Sequence, residues 1–192
     1  MEKTFLEILQ ESELPHVPPT VRHFLFREDA PPSSPQSWEF FAFGYGRAFE
    51  VMMEVALERW PEGEYLRMPL YFLCRHSLEL RLKAAIREYA DQSALAVEML
   101  GHGLVGLWKN LLTQIDRAGF PTDDDWTGYC RTLVDHIDQT DPGGEHFRYP
   151  SSRVDDPLEY TRVELVGLAK AHFHITCYCD ASVSMLLDGT RW

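Results

Sequence analysis

Arg75, His76 and Glu79 lie close enough in the chain to act on one another. If the stretch is helical, the Glu79 carboxylate reaches back one turn to Arg75 at i−4 and to His76 at i−3. A carboxylate so placed holds an imidazole in one tautomer or a guanidinium in one orientation, which is the raw material of phosphate recognition. The plainer alternative is a solvated helix face knitted by the pairs Arg75 with Glu79 and Glu79 with Lys83. Arg75, Arg81, Lys83 and Arg87 stand here against only Glu79 and Glu88, so the stretch is locally positive. The chain as a whole is not, with 30 acidic against 18 basic residues and a formal charge of −12. Non-specific nucleic-acid affinity comes from neutralising phosphates, so this chain takes RNA or a nucleotide only in a local basic groove.

His172, His174, Cys177 and Cys179 have the side chains of a zinc site. Helix geometry resists that use. At about 100° and 1.5 Å per residue, His172 and Cys179 share a face about 10 Å apart while His174 and Cys177 point elsewhere. No single ion is reached by all four, and His174 with Cys177 would need ligands from other segments. The sequence also lacks a G-x-S-x-G elbow, a phosphate-cradling G-x-x-x-x-G-K-[ST] loop and an H-E-x-x-H pair, so the commoner hydrolase, NTPase and zinc-protease chemistries have no carrier. Neither a metal nor a cofactor is expected.

Three segments gain meaning from their order. Arg75-His76-Ser77-Leu78-Glu79-Leu80-Arg81-Leu82-Lys83-Ala84-Ala85-Ile86 is followed by Gly101-His102-Gly103-Leu104 leading to Leu107-Trp108, and then by Phe147-Arg148-Tyr149-Pro150. Over about residues 65–190 this resembles the HEPN superfamily of small helical bundles, in which a helix reading roughly H-x-x-E-L-x-L-K-x-x-I passes through a G-H-x-L turn and an R-Y-P loop precedes the last helix. The resemblance implies one of two functions. One is a metal-independent RNA endonuclease of a prokaryotic conflict, defence or toxin–antitoxin system. The other is a non-catalytic module that binds a nucleotide or a protein and works through dimerisation.

For the nuclease, the family pattern is an Arg and a His four to six residues apart that position the scissile phosphate, and it falls here on Arg131 and His136. Thr132 departs from the amide or carboxylate side chain usual after that arginine. The alternative for the pair is a helix with an unremarkable exposed Arg and a surface or core His. A second set implied by the resemblance is Arg75, His76 and Glu79 joined by His102, Arg148 and Tyr149 around a phosphate or nucleotide. Its alternative is a structural network in which Arg148 and Tyr149 fold back on Glu79 and anchor their loop to the bundle, since a buried carboxylate needs donors in either case.

The elements that would position these groups are helical. Pro15, Pro18, Pro19, Pro31, Pro32 and Pro35 mark residues 1–36 as an arm, with Val21, Phe24, Leu25 and Phe26 apolar enough to pack on the body or a partner subunit. From Trp38, capped by Ser34 or Ser37, apolar residues Phe41, Tyr45, Ala48, Phe49, Met52, Val55 and Ala56 recur at helical spacing until Pro61 and Gly63. Gly44 and Gly46 inside this run suggest a close helix crossing. Pro69 suits the first turn of a second helix with the seam Tyr71, Cys74, Leu78, Leu82, Ala85 and Tyr89. Gly101 and Gly103 lead to a third, ending at Gly119. Thr122 with Asp125 reads as a capping box for a fourth through Tyr129, Leu133 and Ile137. Asp156-Pro157 opens a last helix through Leu165, Leu168, Phe173, Cys177 and Leu187.

The expected fold is all-α, a HEPN-like bundle of four to five long helices over residues 37–192 behind the proline-rich arm. No apolar run is long enough to span a bilayer and the N-terminus has no secretory h-region, so a cytoplasmic protein is expected. The four cysteines sit in helical patterns and read as reduced. The aromatic-rich first helix, together with the family habit, predicts a homodimer through bundle helices.

Overall fold

A computed structural model describes residues 37–93, 101–144, 147–148 and 164–189, all in the unit Ser37–Trp192. Among the described residues every regular element is helical. The helices are α1 Trp38–Glu58, α2 Arg67–Ser93, α3 Leu104–Arg117, α4 Asp125–Thr140 and α5 Leu165–Asp188, with a short 3-10 turn Glu62–Leu66 between α1 and α2. The start expected at Asp156-Pro157 lies outside the described residues.

Caps explain most boundaries. Ser37 accepts the Phe40 amide at the head of α1, and Glu164 accepts the amides of Val166 and Gly167 at the head of α5. At α4 the cap is Asp124, whose side chain takes both the amide and the hydroxyl of Thr127. The Thr122 capping box is therefore not formed, because a carboxylate two residues later reaches the first turn directly. The N-cap of α3, Gly103, has no side chain to offer, and the cap is supplied from another helix. Asp138 of α4 accepts the Leu104 amide at 2.7 Å, so the Gly-His-Gly-Leu turn is closed by tertiary structure.

The helices α2, α3, α4 and α5 pack in sequence round one core, with α5 returning against α2, and α1 lies across α2 and α5. Helix α2 is central. Its expected seam of Tyr71, Cys74, Leu78, Leu82, Ala85 and Tyr89 is fully buried, and so are Arg75, Ser77, Glu79 and Lys83 on its other sides. Trp108 of α3 and Trp126 of α4 both pack on the Tyr178 ring of α5. Polar tips are satisfied across helices, with Tyr71 Oη donating to Ile137 O, Tyr89 Oη donating to Ser182 O and Thr127 Oγ1 bonding Tyr178 Oη.

Three helices turn differently from their sequence pattern. The core face of α1 is Ala42, Phe49, Met53 and Ala56, while Phe41 and Ala48 are exposed. In α4 the seam is Thr127, Cys130, Val134 and Ile137, which leaves Tyr129 outside. In α5 Phe173 and Leu187 face outward, and His172, Ile175, Tyr178 and Cys179 face inward. Gly44 meets nothing and Gly46 only the His172 ring edge, so the Gly pair does not mark a tight crossing. All four thiols are free. Among the described residues no helix is long and apolar enough to cross a membrane.

Candidate functional site

Arg75, Glu79 and Lys83 follow one another at i, i+4 and i+8 on one face of α2, and all three side chains are buried. The Glu79 carboxylate accepts from Lys83 Nζ at 2.7 Å and from His102 Nδ1 at 2.8 Å, with Arg75 Nη1 at 3.4 Å from its second oxygen. Burial by itself would raise this carboxyl, but the hydrogen bonds from Lys83 and His102 outweigh it and hold Glu79 below the usual carboxylate range. Because a carboxylate only accepts, His102 carries its proton on Nδ1. Its side chain is 72% exposed, so it forms the solvent edge of the network.

Arg75 binds the chain around it. Its Nε donates to Asp141 O at 2.9 Å and its Nη2 to His102 O at 2.7 Å, with the Asp141 carboxylate 3.8 Å away. One guanidinium thereby joins α2 to the turn before α3 and to the end of α4. Two buried cations face two buried carboxylates, so the Arg75 and Lys83 half of the positive stretch is neutralised from within, while Arg87 stays exposed. The helix face expected to be solvated is interior, because the Gly-His-Gly turn and the Asp141-Pro142 end close over it.

The Asp141-Pro142-Gly143-Gly144 turn is shaped to the guanidinium. Gly144 has φ +71°, and a Cβ there would stand 2.6 Å from Arg75 Nη1. Gly144→Ala is expected to cost about 1–3 kcal/mol, combining left-handed strain with displacement of Arg75. Gly101→Ala is the control, since Gly101 has φ +66° and open space around it, and it should lose only the strain, about 1 kcal/mol. Thermal unfolding of the two variants measures the difference.

His76 does not join Glu79. Its ring lies edge-on to Tyr45 at 4.5 Å and parallel to Phe72 at 5.6 Å, and its buried Nδ1 has no hydrogen-bond partner. Burial, opposed by the Glu79 charge and assisted by the nearby Arg148, lowers its basicity. Arg148 is exposed and lies over the Phe72 ring at 4.9 Å, while Phe147 stacks on Tyr71 at 3.8 Å. The loop thus returns to the start of α2, but its arginine reaches Phe72 and not Glu79. Tyr149 lies outside the described residues. The donors expected from the loop are supplied by Lys83 and His102.

Arg131 and His136 stand exposed on α4. Five residues apart, they lie about 140° round the helix and about 8 Å along it. Among the described residues no cluster of His, Cys, Asp and Glu is arranged to hold a metal.

Sequence reasoning passed over a second buried polar contact. Ser77 Oγ donates to Cys74 O at 2.8 Å and must therefore accept from His172 Nε2, also at 2.8 Å. This ties α2 to α5 through a neutral imidazole packed on Phe49 of α1 at 4.4 Å. Burial drives His172 down to about 4. Ser77 is 1% exposed, so the pair has the atoms of a nucleophile and base without access for a substrate. The only sequence signal was a histidine at a core-facing position of α5. No family model, curated protein or solved structure matches this chain.

Proposed function

We propose that this protein is a non-catalytic HEPN-like module that works by association, as a homodimer formed through the outer face of α1. The observation that carries the reading is where apolar surface lies. Of the eleven large hydrophobic side chains exposed among the described residues, seven fall between Phe40 and Tyr65, so the surplus belongs to α1 and the turn after it. Phe40, Phe43, Arg47 and Val51 lie within about 80° of one another on the side away from the core, with Phe43 61% exposed. Contiguous apolar surface of this kind marks an association site.

A second copy suits the face. Gly44 and Ala48 form a shallow notch between rings, with open space above Gly44. Two such helices packed antiparallel about a two-fold axis place the Phe40 and Phe41 rings of each over Val51 and Val55 of the other. The same operation brings Arg47 of each beside the partner's Glu50, the residue it already pairs with in its own chain. Light scattering at micromolar concentration should give a dimer. Phe40→Ser with Phe43→Ser should give a folded monomer, and a wild-type monomer would refute the reading.

The nuclease alternative is separated by RNA cleavage in EDTA. The pairing of buried Arg75 and Lys83 with Glu79 and Asp141 is what favours the non-catalytic reading. Wild type, Arg131→Ala and His136→Ala are expected to be equally inactive. Cleavage by wild type that both substitutions abolish would establish the ribonuclease instead.

A further inference from the structure

Beyond Val51 the surface of α1 changes character. The last turn of α1, the 3-10 turn and the first turn of α5 enclose a cleft of about 660 Å³, a size typical of clefts that hold ligands. Leu57, Trp60, Leu165 and Val166 supply apolar walls, and Glu64, Arg67 and Glu164 the polar ones. Leu57, Trp60 and Val166 are each 45–48% exposed, so three large apolar side chains from α1, the turn after it and α5 line one open space.

The polar groups define what can enter. The Arg67 guanidinium lies over the Trp60 indole at 5.3 Å and pairs with Glu64 at 3.1 Å, so it is already committed. The Glu164 carboxylate caps α5 through the amides of Val166 and Gly167, so two donors of that helix end are taken and a carboxylate stands where an anion would approach. Among the described residues the exposed charges at or near the cleft are the carboxylates of Glu64, Glu164, Glu58 and Glu62, against the cations Arg59 and Lys170. A phosphate, a nucleic-acid strand or a fatty acid meets these carboxylates, and the unpaired Arg67 Nε is buried out of its reach. An apolar side chain flanked by positive charge finds walls and counter-charges, and the chain's net −12 acts in the same direction.

We infer that this cleft is the docking site for a segment of a partner protein. The segment inserts a Leu, Phe or Trp anchor between Leu57, Trp60 and Val166 and sets flanking Lys or Arg residues against Glu64 and Glu164. The inference does not rest on the dimer, whose contact uses none of the residues that line the cleft.

The test titrates the full chain with short peptides carrying a Leu, Phe or Trp anchor between lysine flanks, and with the same peptides bearing glutamate flanks. Trp60 fluorescence is the readout, identified by its loss in Trp60→Phe. At least one lysine-flanked peptide should bind with a Trp60 response, and its glutamate counterpart at least about tenfold more weakly. Leu57→Gln and Glu64→Lys, both at exposed positions, should each weaken binding about tenfold with the helical signal unchanged. The Phe40→Ser, Phe43→Ser variant should bind as wild type, which separates failure here from failure of the dimer. Absence of binding by every lysine-flanked peptide, equal binding of both flank types, or wild-type affinity in both Leu57→Gln and Glu64→Lys would overturn the inference. So would displacement of the peptide by RNA or by anionic vesicles, which would reassign the cleft to an anion.

Discussion

Glu79→Ala is expected to cost about 3–5 kcal/mol of folding stability, the usual penalty for removing one partner of a buried charge pair. Glu79 is the acceptor for Lys83 and His102 and faces Arg75. Its loss leaves Lys83 buried with no counter-charge and removes what orients His102 over the network. Arg75 keeps Asp141 and the carbonyls of Asp141 and His102, so the damage should centre on Lys83. Two further variants isolate that cause. Glu79→Gln retains an acceptor for Lys83 and His102 and should cost less, about 1–3 kcal/mol. Adding Lys83→Met to Glu79→Ala should recover part of the loss, because it removes the orphaned charge. Urea unfolding measures all three. A Glu79→Ala protein within about 1 kcal/mol of wild type would show that the network does not hold the bundle together.

Acidification should loosen the fold well before its carboxylates titrate. His172 has its folded value lowered from 6.5 to about 4, mainly by burial, with Glu50 pulling it up and Arg81 pushing it further down. The neutral imidazole is therefore the form the fold accepts. Its contribution is fully present above pH 6.5, is lost as pH falls towards 4 while the unfolded chain takes up a proton the folded chain refuses, and changes no further below that. Integrated, the loss is about 3 kcal/mol. His76, lowered in the same direction, adds to the slope. Glu79 and Asp124 are both held low, so their stabilisation fades only below the ordinary carboxylate range and is separable on the pH axis. His172→Gln can still donate to Ser77 and cannot titrate. At pH 7 it should cost about 1 kcal/mol, and between pH 6.5 and 4 it should lose stability much less steeply than wild type. Parallel curves for the two proteins would assign the acid sensitivity elsewhere.

Chain-local information settled much of the architecture. Ser37 at the head of α1, Gly119 after α3 and the seam from Tyr71 to Tyr89 all follow from caps and a 3.6-residue period, which act within one or two turns and need no neighbour. The spacing of Arg75, Glu79 and Lys83 was visible for the same reason. Where α1 carries apolar residues on nearly every side, period alone cannot choose the face: it points Phe41 and Ala48 inward, whereas Ala42 and Met53 are the residues that pack. Only the approach of α2 and α5 breaks that tie.

Burial was likewise decided at a distance. Whether Arg75, Glu79 and Lys83 formed a wet basic face or a dry neutral network depended on His102 and Asp141, residues brought in by a turn 23 positions from Glu79 and a helix end 66 positions from Arg75. The bond between Ser77 and His172 spans 95 residues, so no local pattern contains it. The amino-acid sequence by itself determined that the bundle is all-helical, where most of its helices start and stop, and which side chains could pair within a turn. The tertiary structure alone decided which of those pairs lost their water, and with it whether the same charges serve as a surface for phosphate or as the interior of a bundle, because desolvation is a property of what packs against a residue and not of the residue's neighbours in the chain.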